Sequence, residues 1–153
     1  MKVGQQRRIP ATQPGSKQRR HIFGGYNWLS DQITWHTAET KNSSQFIYFL
    51  EQLLVKAYPT GRVVLVMDNA SYHKSASALA ALSLFEHRVM VIWLPPYCSD
   101  LNPIERFWRH LKDRACANKL QDTIEAVMDS AVQALVEQNL VVHLSSFRVS
   151  KNL

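Results

Sequence analysis

The strongest constraint on the fold comes from two uninterrupted aliphatic runs, Val63–Met67 and 89–94. Strands that are covered on both faces, as in a parallel sheet, show continuous apolar runs rather than alternation. An Ala-rich helical segment at about 74–85 separates the two runs, and a further helix is predicted from Pro103 to about Ala117. Strands that alternate with helices in this way predict parallel pairing within a layered α/β domain.

The segments before and after these runs complete the predicted element order. Two strands at 21–29 and 32–36 flank a Ser30-Asp31 turn and predict a hairpin. Asn42 and Gln45 have capping-box spacing and open a helix, whose apolar face is Phe46, Phe49, Leu50, Leu53 and Ala57. A last helix is predicted to begin near Thr123. The antiparallel start makes the predicted architecture a mixed, three-layer α/β sheet.

Length and composition indicate one globular domain. The chain has 153 residues, enough for a single buried core, and no apolar run approaches the roughly 20 residues of a membrane helix. Cys98 and Cys116 lack zinc-site spacing and are interpreted as reduced thiols of a cytosolic protein. The predicted organisation is a basic extended leader at 1–20, a folded α/β domain at 21–140 and a C-terminal tail at 141–153.

The basic leader carries the net charge of +6. Residues 1–20 contain six basic residues and no acid, whereas the rest of the chain holds 12 basic and 12 acidic residues. A leader of this kind is suited to phosphate-backbone contacts, with Arg7, Arg8, Arg19 and Arg20 as candidates. A solubilising terminus explains the same charge equally well.

Two carboxylates follow the two aliphatic runs. Asp68 comes directly after the first, and Glu105 lies in the helix that follows the second. Because active groups in α/β sheets gather beyond the carboxyl ends of the strands, we expect both to lie at one edge. Each has a structural alternative: Asp68 as a strand-ending turn residue, and Glu105 as the third residue of a helix capped by Asn102 and begun by Pro103.

Further candidates surround these acids. His73 is a candidate phosphate or scissile-oxygen contact, although a structural histidine at a helix start is the commoner case. Arg109 and Lys112 share a helical face with Glu105 and are candidates for contacting the DNA backbone. A solvated helix face, with Trp108 packed in the core, is the alternative.

Two segments of the chain resemble those of a known protein family. The segments VLVMDNASYHKS and VIWLPPYCSDLNPIERFWRHLK resemble the DDE endonuclease domain of bacterial insertion-sequence transposases, which are related to mariner elements. The resemblance implies a ribonuclease-H-like fold, with Asp68 and Glu105 as two acids of a metal-binding triad. It adds Lys74 as a DNA-binding candidate, and Asn69, Asn102, Pro103 and Trp108 as supporting residues.

The chain departs from the family pattern at its first acid. The family's first catalytic Asp lies on a strand that precedes the basic segment beginning here at Met1, and Asp31 in the hairpin turn does not match it. A smaller departure is Cys98-Ser99, where the family usually has Ser-Pro. We therefore expect an N-terminally truncated domain that lacks the family's first strand. Unpaired backbone edges in such a domain predict marginal stability.

The implied chemistry is two-metal DNA strand cleavage and transfer, in which Mg²⁺ or Mn²⁺ activates the nucleophile and stabilises the leaving oxygen. With one acid missing, we expect weak metal binding and little autonomous activity. The expected partners are double-stranded DNA (transposon ends and target), with a homodimer or an upstream transposase fragment as further possibilities. Two other functions stay open: a non-catalytic DNA-binding or dimerising transposase remnant, and an unrelated phosphate-handling enzyme. No Gly-rich phosphate loop supports the last of these.

Overall fold

The computed structural model describes residues 18–96, 101–116 and 123–149. Within these residues the chain forms four strands, four α-helices and one π-helical segment. In chain order they are β1 (His21–Asn27), β2 (Gln32–Ala38), α1 (Ser43–Glu51), the π-helix (Gln52–Ala57), β3 (Val63–Met67), α2 (Ala76–Ser83), β4 (Val89–Trp93), α3 (Pro103–Cys116) and α4 (Ile124–Val149). The order is the predicted one, and β3 has the predicted bounds.

The strands pair as two separate two-stranded sheets. β1 and β2 are antiparallel, with His21 opposite Ala38 and Asn27 opposite Gln32. β3 and β4 are parallel, with Met67 opposite Trp93. Among the described residues β1 pairs only with β2, and β3 only with β4. The parallel pairing puts the carboxyl ends of β3 and β4 at one edge, as the sequence predicted.

The hairpin turn is set by Asn27. Its side-chain oxygen accepts hydrogen bonds from the backbone N–H groups of Leu29 at 3.1 Å and Ser30 at 3.3 Å. These bonds form an Asx turn that ends β1 at Asn27, two residues before the predicted end. β2 instead runs two residues past its predicted end, to Ala38 opposite His21.

The helical geometry changes from α to π at Gln52. Asn42 caps α1 as predicted, because its side chain accepts from the Gln45 N–H at 3.0 Å. The Gln45 side chain does not complete a capping box, since its oxygen bonds to His36 Nε2 at 2.7 Å. Beyond α1 the wider π-helix follows and ends at Ala57. Arg88 donates to the carbonyl oxygens of Leu54 and Tyr58, which lie at the π-helix end.

The prediction that β3 and β4 are covered on both faces is wrong. Val64, Val66, Met90 and Ile92 alternate along the two strands and are 37–63% exposed. The alternating residues on the other face pack against the cluster that contains α1 and α2 side chains. Among the described residues, no element covers the first face, so half of each continuous aliphatic run lies at the surface.

Two apolar clusters form the core. The first joins both sheets through α1, the π-helix and α2; its central residues are Leu50 and Leu54, which are 2% and 0% exposed. The second packs α3 and α4 against β1 and β2 around Ile33 and Leu135. Because the sheets share no described backbone pairing, the first cluster is what connects them.

α4 protects the outer edge of the hairpin. The Asn139 side chain donates to the Ile33 carbonyl and accepts from the Ile33 N–H, both at 2.9 Å. Asn139 thereby pairs with the backbone groups of Ile33 at the edge of β2 as a neighbouring strand would.

α4 continues to Val149, so residues 141–149 belong to this helix rather than to a separate tail. No helix in the described part is long and apolar enough to cross a membrane.

Replacing Leu54 tests the role of the first cluster. The side chain is fully buried in the first cluster, so Leu54→Ala is expected to lower the free energy of unfolding by about 2–5 kcal/mol. The neighbouring Val55 is 50% exposed, and Val55→Ala should change it by less than about 0.5 kcal/mol. Urea denaturation of both variants measures the difference; similar values for the two would contradict the proposed packing.

Candidate functional site

Asp68 stands directly after β3, at the carboxyl edge of the parallel sheet. Its side chain is 50% exposed. The Oδ1 atom accepts from the Ala70 N–H at 3.1 Å and lies 2.7 Å from His73 Nδ1. The bond to Ala70 is the strand-ending turn that the structural alternative expected. The exposure of the carboxylate also leaves it accessible to a ligand. The observed geometry is therefore compatible with Asp68 as a turn residue and with Asp68 as a ligand-binding acid.

His73 and Tyr72 form an aromatic support beneath Asp68. His73 contacts the rings of Phe46 and Tyr72, with centroids 4.4 and 4.3 Å away. Burial lowers the pKa of His73 below its ordinary value, and the Asp68 carboxylate opposes this shift. Burial, with a smaller contribution from Asp68, raises the pKa of Tyr72 to about 12. Because a carboxylate only accepts hydrogen bonds, the Nδ1 atom of His73 carries the proton that is donated to Asp68.

Asn69 ties the two strand ends together. Its side-chain amide donates to the Leu94 carbonyl, and the Leu94 N–H donates to the Met67 carbonyl at 2.8 Å. The chain that leaves β4 is thus held beside Asp68. Residues 97–100, which include Cys98, lie outside the described residues.

Glu105 lies in the first turn of α3. Asn102 caps this helix: its carbonyl accepts from the Glu105 N–H at 3.0 Å and its side chain from the Ile104 N–H at 3.4 Å. Pro103 is the first helical residue, as predicted. Glu105 lines an open groove of about 870 Å³ along α3, which also contains Tyr26 and Trp28; we call it the α3 groove.

The described contacts do not join Asp68 to Glu105. Asp68 is linked through His73 and Tyr72 to Phe23, near the start of β1. The α3 groove instead contains Tyr26 and the residues of the hairpin turn, at the end of β1. The convergence of the two carboxylates therefore stays a prediction.

Trp108 packs against the hairpin, as the structural alternative expected. A Cβ atom on Gly24 would lie 2.5 Å from Trp108 Cη2, so the indole ring occupies the space that a side chain on β1 would need. Phe107 beside it stacks on Tyr26, with ring centroids 5.6 Å apart. These two contacts fix α3, and with it Glu105 and Arg109, on β1.

The predicted DNA-binding residues are spread over the surface. Arg20 pairs within the chain, with Glu39 at 3.3 Å and Glu125 at 3.2 Å. Lys74 Nζ lies 4.9 Å from the centre of the Trp93 ring. The other described candidates, Arg19, Arg109 and Lys112, are exposed. Arg7 and Arg8 lie outside the described residues.

The described residues do not by themselves fit a divalent metal ion. Mg²⁺ prefers several oxygen ligands in octahedral geometry. The described part of the chain contains no group of three or more His, Cys, Asp or Glu residues that could hold a metal. Asp68 alone supplies a half-exposed carboxylate at the carboxyl edge.

Three notable residues were missed by sequence reasoning. Trp28 was assigned to a strand but lies in the hairpin turn, 66% exposed. Asn27 directly before it was an available turn signal. Arg88 and Asn139 satisfy backbone groups of distant elements, and their sequence context carries no signal for those partners.

The fold is shared with retroviral integrases. The intasome of simian T-cell lymphotropic virus, solved in complex with the PP2A regulatory subunit B56 gamma, matches with a TM-score of 0.56 and 15% identity, over 72% of this chain and 40% of that one. The catalytic core domain of BIV integrase matches with a TM-score of 0.51 and 21% identity, over 72% and 70%. The predicted ribonuclease-H-like fold is thereby confirmed.

Most of the chain matches the sequence of a known family. Residues 1–128 match the model of the DDE superfamily endonucleases, and the chain belongs to this family. A relative from Shigella sonnei, described as the insertion element IS630 uncharacterized 39 kDa protein, is 27% identical over 115 residues. The match covers 75% of this chain but 33% of the relative, so the chain spans about a third of that protein's length.

Gly24 offers a test of how α3 is anchored. Gly24→Ala places a methyl group against the Trp108 ring and is expected to lower the free energy of unfolding by about 1–3 kcal/mol. In a Trp108→Leu background the obstacle is gone, so the same substitution should cost clearly less. Gly25→Ala, whose Cβ would meet the flexible Leu53 side chain at 3.2 Å, is the control with a smaller expected cost. Equal costs of Gly24→Ala in both backgrounds would contradict this anchoring.

Proposed function

We propose that the chain is the catalytic domain of a DDE-type transposase, which cuts and joins DNA strands during transposition. The observation that carries the proposal is Asp68, a half-exposed carboxylate directly after β3 at the edge where β4 also ends. The family match and the similarity to an insertion-element protein support the same function.

In this proposal Asp68 and Glu105 are two acids of the cleavage site, and a further carboxylate comes from outside the described residues. β1 and β3 each have a strand edge with no described pairing, so a further strand can hydrogen-bond there. Either a longer form of the protein, an upstream transposase fragment or a second copy of the chain supplies it. His73 orients the Asp68 carboxylate through its Nδ1–H.

The completed site would take Mg²⁺ or Mn²⁺, which the chain alone binds weakly for lack of ligands. The DNA substrate would be held through its phosphates by Arg19, Arg109, Lys112 and the basic leader. We assign transposon ends and target DNA as the substrates, in line with the resemblance.

Plasmid nicking tests this function. The purified chain is expected to nick plasmid DNA with Mg²⁺ or Mn²⁺ only when co-expressed with an upstream fragment that carries the missing acid. Asp68→Asn and Glu105→Gln should each reduce the rate at least about 100-fold, because each removes a metal ligand. Asp113→Asn, an exposed acid on the same helix α3, is the charge-matched control and should leave the rate unchanged.

The alternative, a DNA-binding or dimerising remnant, has one observation in its favour: no described contact brings Asp68 to Glu105. It predicts salt-sensitive DNA binding that persists in both acid variants, without nicking under any combination of metal and fragment. Efficient nicking by the chain alone would instead contradict the need for a further carboxylate.

A further inference from the structure

We infer that the α3 groove binds an unpaired nucleotide of the DNA substrate, with its base stacked on Trp28 and its phosphate held by Arg106 and Arg109. The inference rests on the proposed DNA substrate but concerns a site apart from the Asp68 carboxylate. Its basis is the combination of an exposed aromatic side chain, exposed guanidinium groups and a cavity of suitable size.

Trp28 is exposed on a rigid turn. Two backbone N–H groups of the turn bond to the Asn27 side chain. The Asp31 carboxylate accepts the Tyr26 hydroxyl, and Gln138 of α4 donates to the Asp31 carbonyl at 3.3 Å. Asp31 itself has a φ of 57°, a left-handed conformation that aspartate tolerates in turns. The turn is thus fixed to both β1 and α4, yet the indole ring is 66% exposed.

An exposed indole on a fixed turn suits a stacking partner. A Trp that serves the core would be expected to lie inward, as Trp108 does on Gly24. Trp28 instead borders the groove with its ring largely exposed. Stacking on aromatic side chains is how proteins hold unpaired bases, and base faces within an intact duplex are already covered by their neighbours.

The groove is lined by three arginines and two carboxylates, so its cations outnumber its acids and a phosphate can be received beside the arginines. Arg106 and Arg109 both line it and are exposed. Arg106 lies close enough to Tyr26 to oppose the rise in that phenol's pKa, which comes mainly from the hydrogen bond to Asp31. Arg114 at the far end is paired with Glu137 at 2.5 Å. Arg106 and Arg109 are therefore the cations of the groove best able to receive an anion.

The groove size sets the class of ligand. About 870 Å³ lies within the roughly 300–1,000 Å³ of sites that hold small ligands. A groove of this size accommodates a displaced or overhanging nucleotide rather than a duplex. Because Glu105 lines the same groove, a strand end held there would lie beside that carboxylate.

The test compares two DNA substrates without metal, so that cleavage plays no part. Fluorescence anisotropy in EDTA measures the binding of a blunt duplex and of the same duplex with a short single-stranded overhang. Trp28→Ala is expected to weaken binding of the overhang substrate by about 5- to 100-fold, with little effect on the blunt duplex. Trp28→Phe should retain most of the affinity, since it keeps an aromatic face.

Leu29→Ala is the matched control, because Leu29 lies in the same turn, is 89% exposed and does not line the groove. The inference is overturned if Trp28→Ala and Leu29→Ala act alike, or if Trp28→Ala weakens both substrates equally. A change of sedimentation coefficient in Trp28→Ala would overturn it in favour of a contact between two copies. If the unmodified chain binds neither DNA, the proposed function is overturned together with this inference. If it binds DNA and only the expected effect of Trp28→Ala is absent, this inference alone is overturned.

Discussion

The packing of the first apolar cluster around Leu50 and Leu54 is the interaction on which the rest of the structure depends. No described backbone hydrogen bond runs from β1 to β3, so among the described residues it is side-chain contacts, above all those of this apolar cluster, that set the relation between the hairpin and the parallel sheet. Every distance between the two candidate acids depends on this relation, because Asp68 follows β3 and Glu105 lies on a helix anchored to β1.

This arrangement places the two candidate acids in separate halves of the structure. The parallel sheet and its aromatic support present Asp68 at one edge, with His73 hydrogen-bonded to its carboxylate. The hairpin, α3 and α4 present Glu105 beside exposed cations and Trp28. A strand inserted between β1 and β3 would replace side-chain packing by backbone pairing and would fix the two halves relative to each other. That is the physical reason for proposing that a further carboxylate comes from such a strand.

The sequence predicted most of the fold because its signals are local. The aliphatic run of β3, the Asn42 cap and the Pro103 helix start all depend on neighbouring residues, and the structure contains each of them. The burial of Val64 and Ile92 was predicted wrongly because an apolar run shows the capacity for burial, whereas burial itself needs a covering element. Asn139 was missed because its role depends on a partner 106 positions away.

The candidate site was predictable to a smaller extent. Strand–turn position and family resemblance make Asp68 and Glu105 candidates, since both signals lie in short segments, and their joint role in one site stays a prediction. The position of Trp28 depends on where β1 ends. The hydrogen bonds that the Asn27 side chain accepts from two backbone N–H groups determine that end. Element boundaries are set by such small energetic differences, and a shift of two residues here moves an aromatic ring from a strand to an exposed turn.

Manganese binding tests the central claim most directly, namely that Asp68 belongs to a metal site completed by a further carboxylate. Electron paramagnetic resonance of free Mn²⁺ can be followed during titration with the chain alone and with the chain bound to the upstream fragment. The account predicts that the chain alone binds Mn²⁺ weakly and that the chain with the fragment binds it much more tightly. It also predicts that Asp68→Asn abolishes this tight binding. Tight binding by the chain alone, or binding with the fragment that Asp68→Asn leaves unchanged, would contradict it.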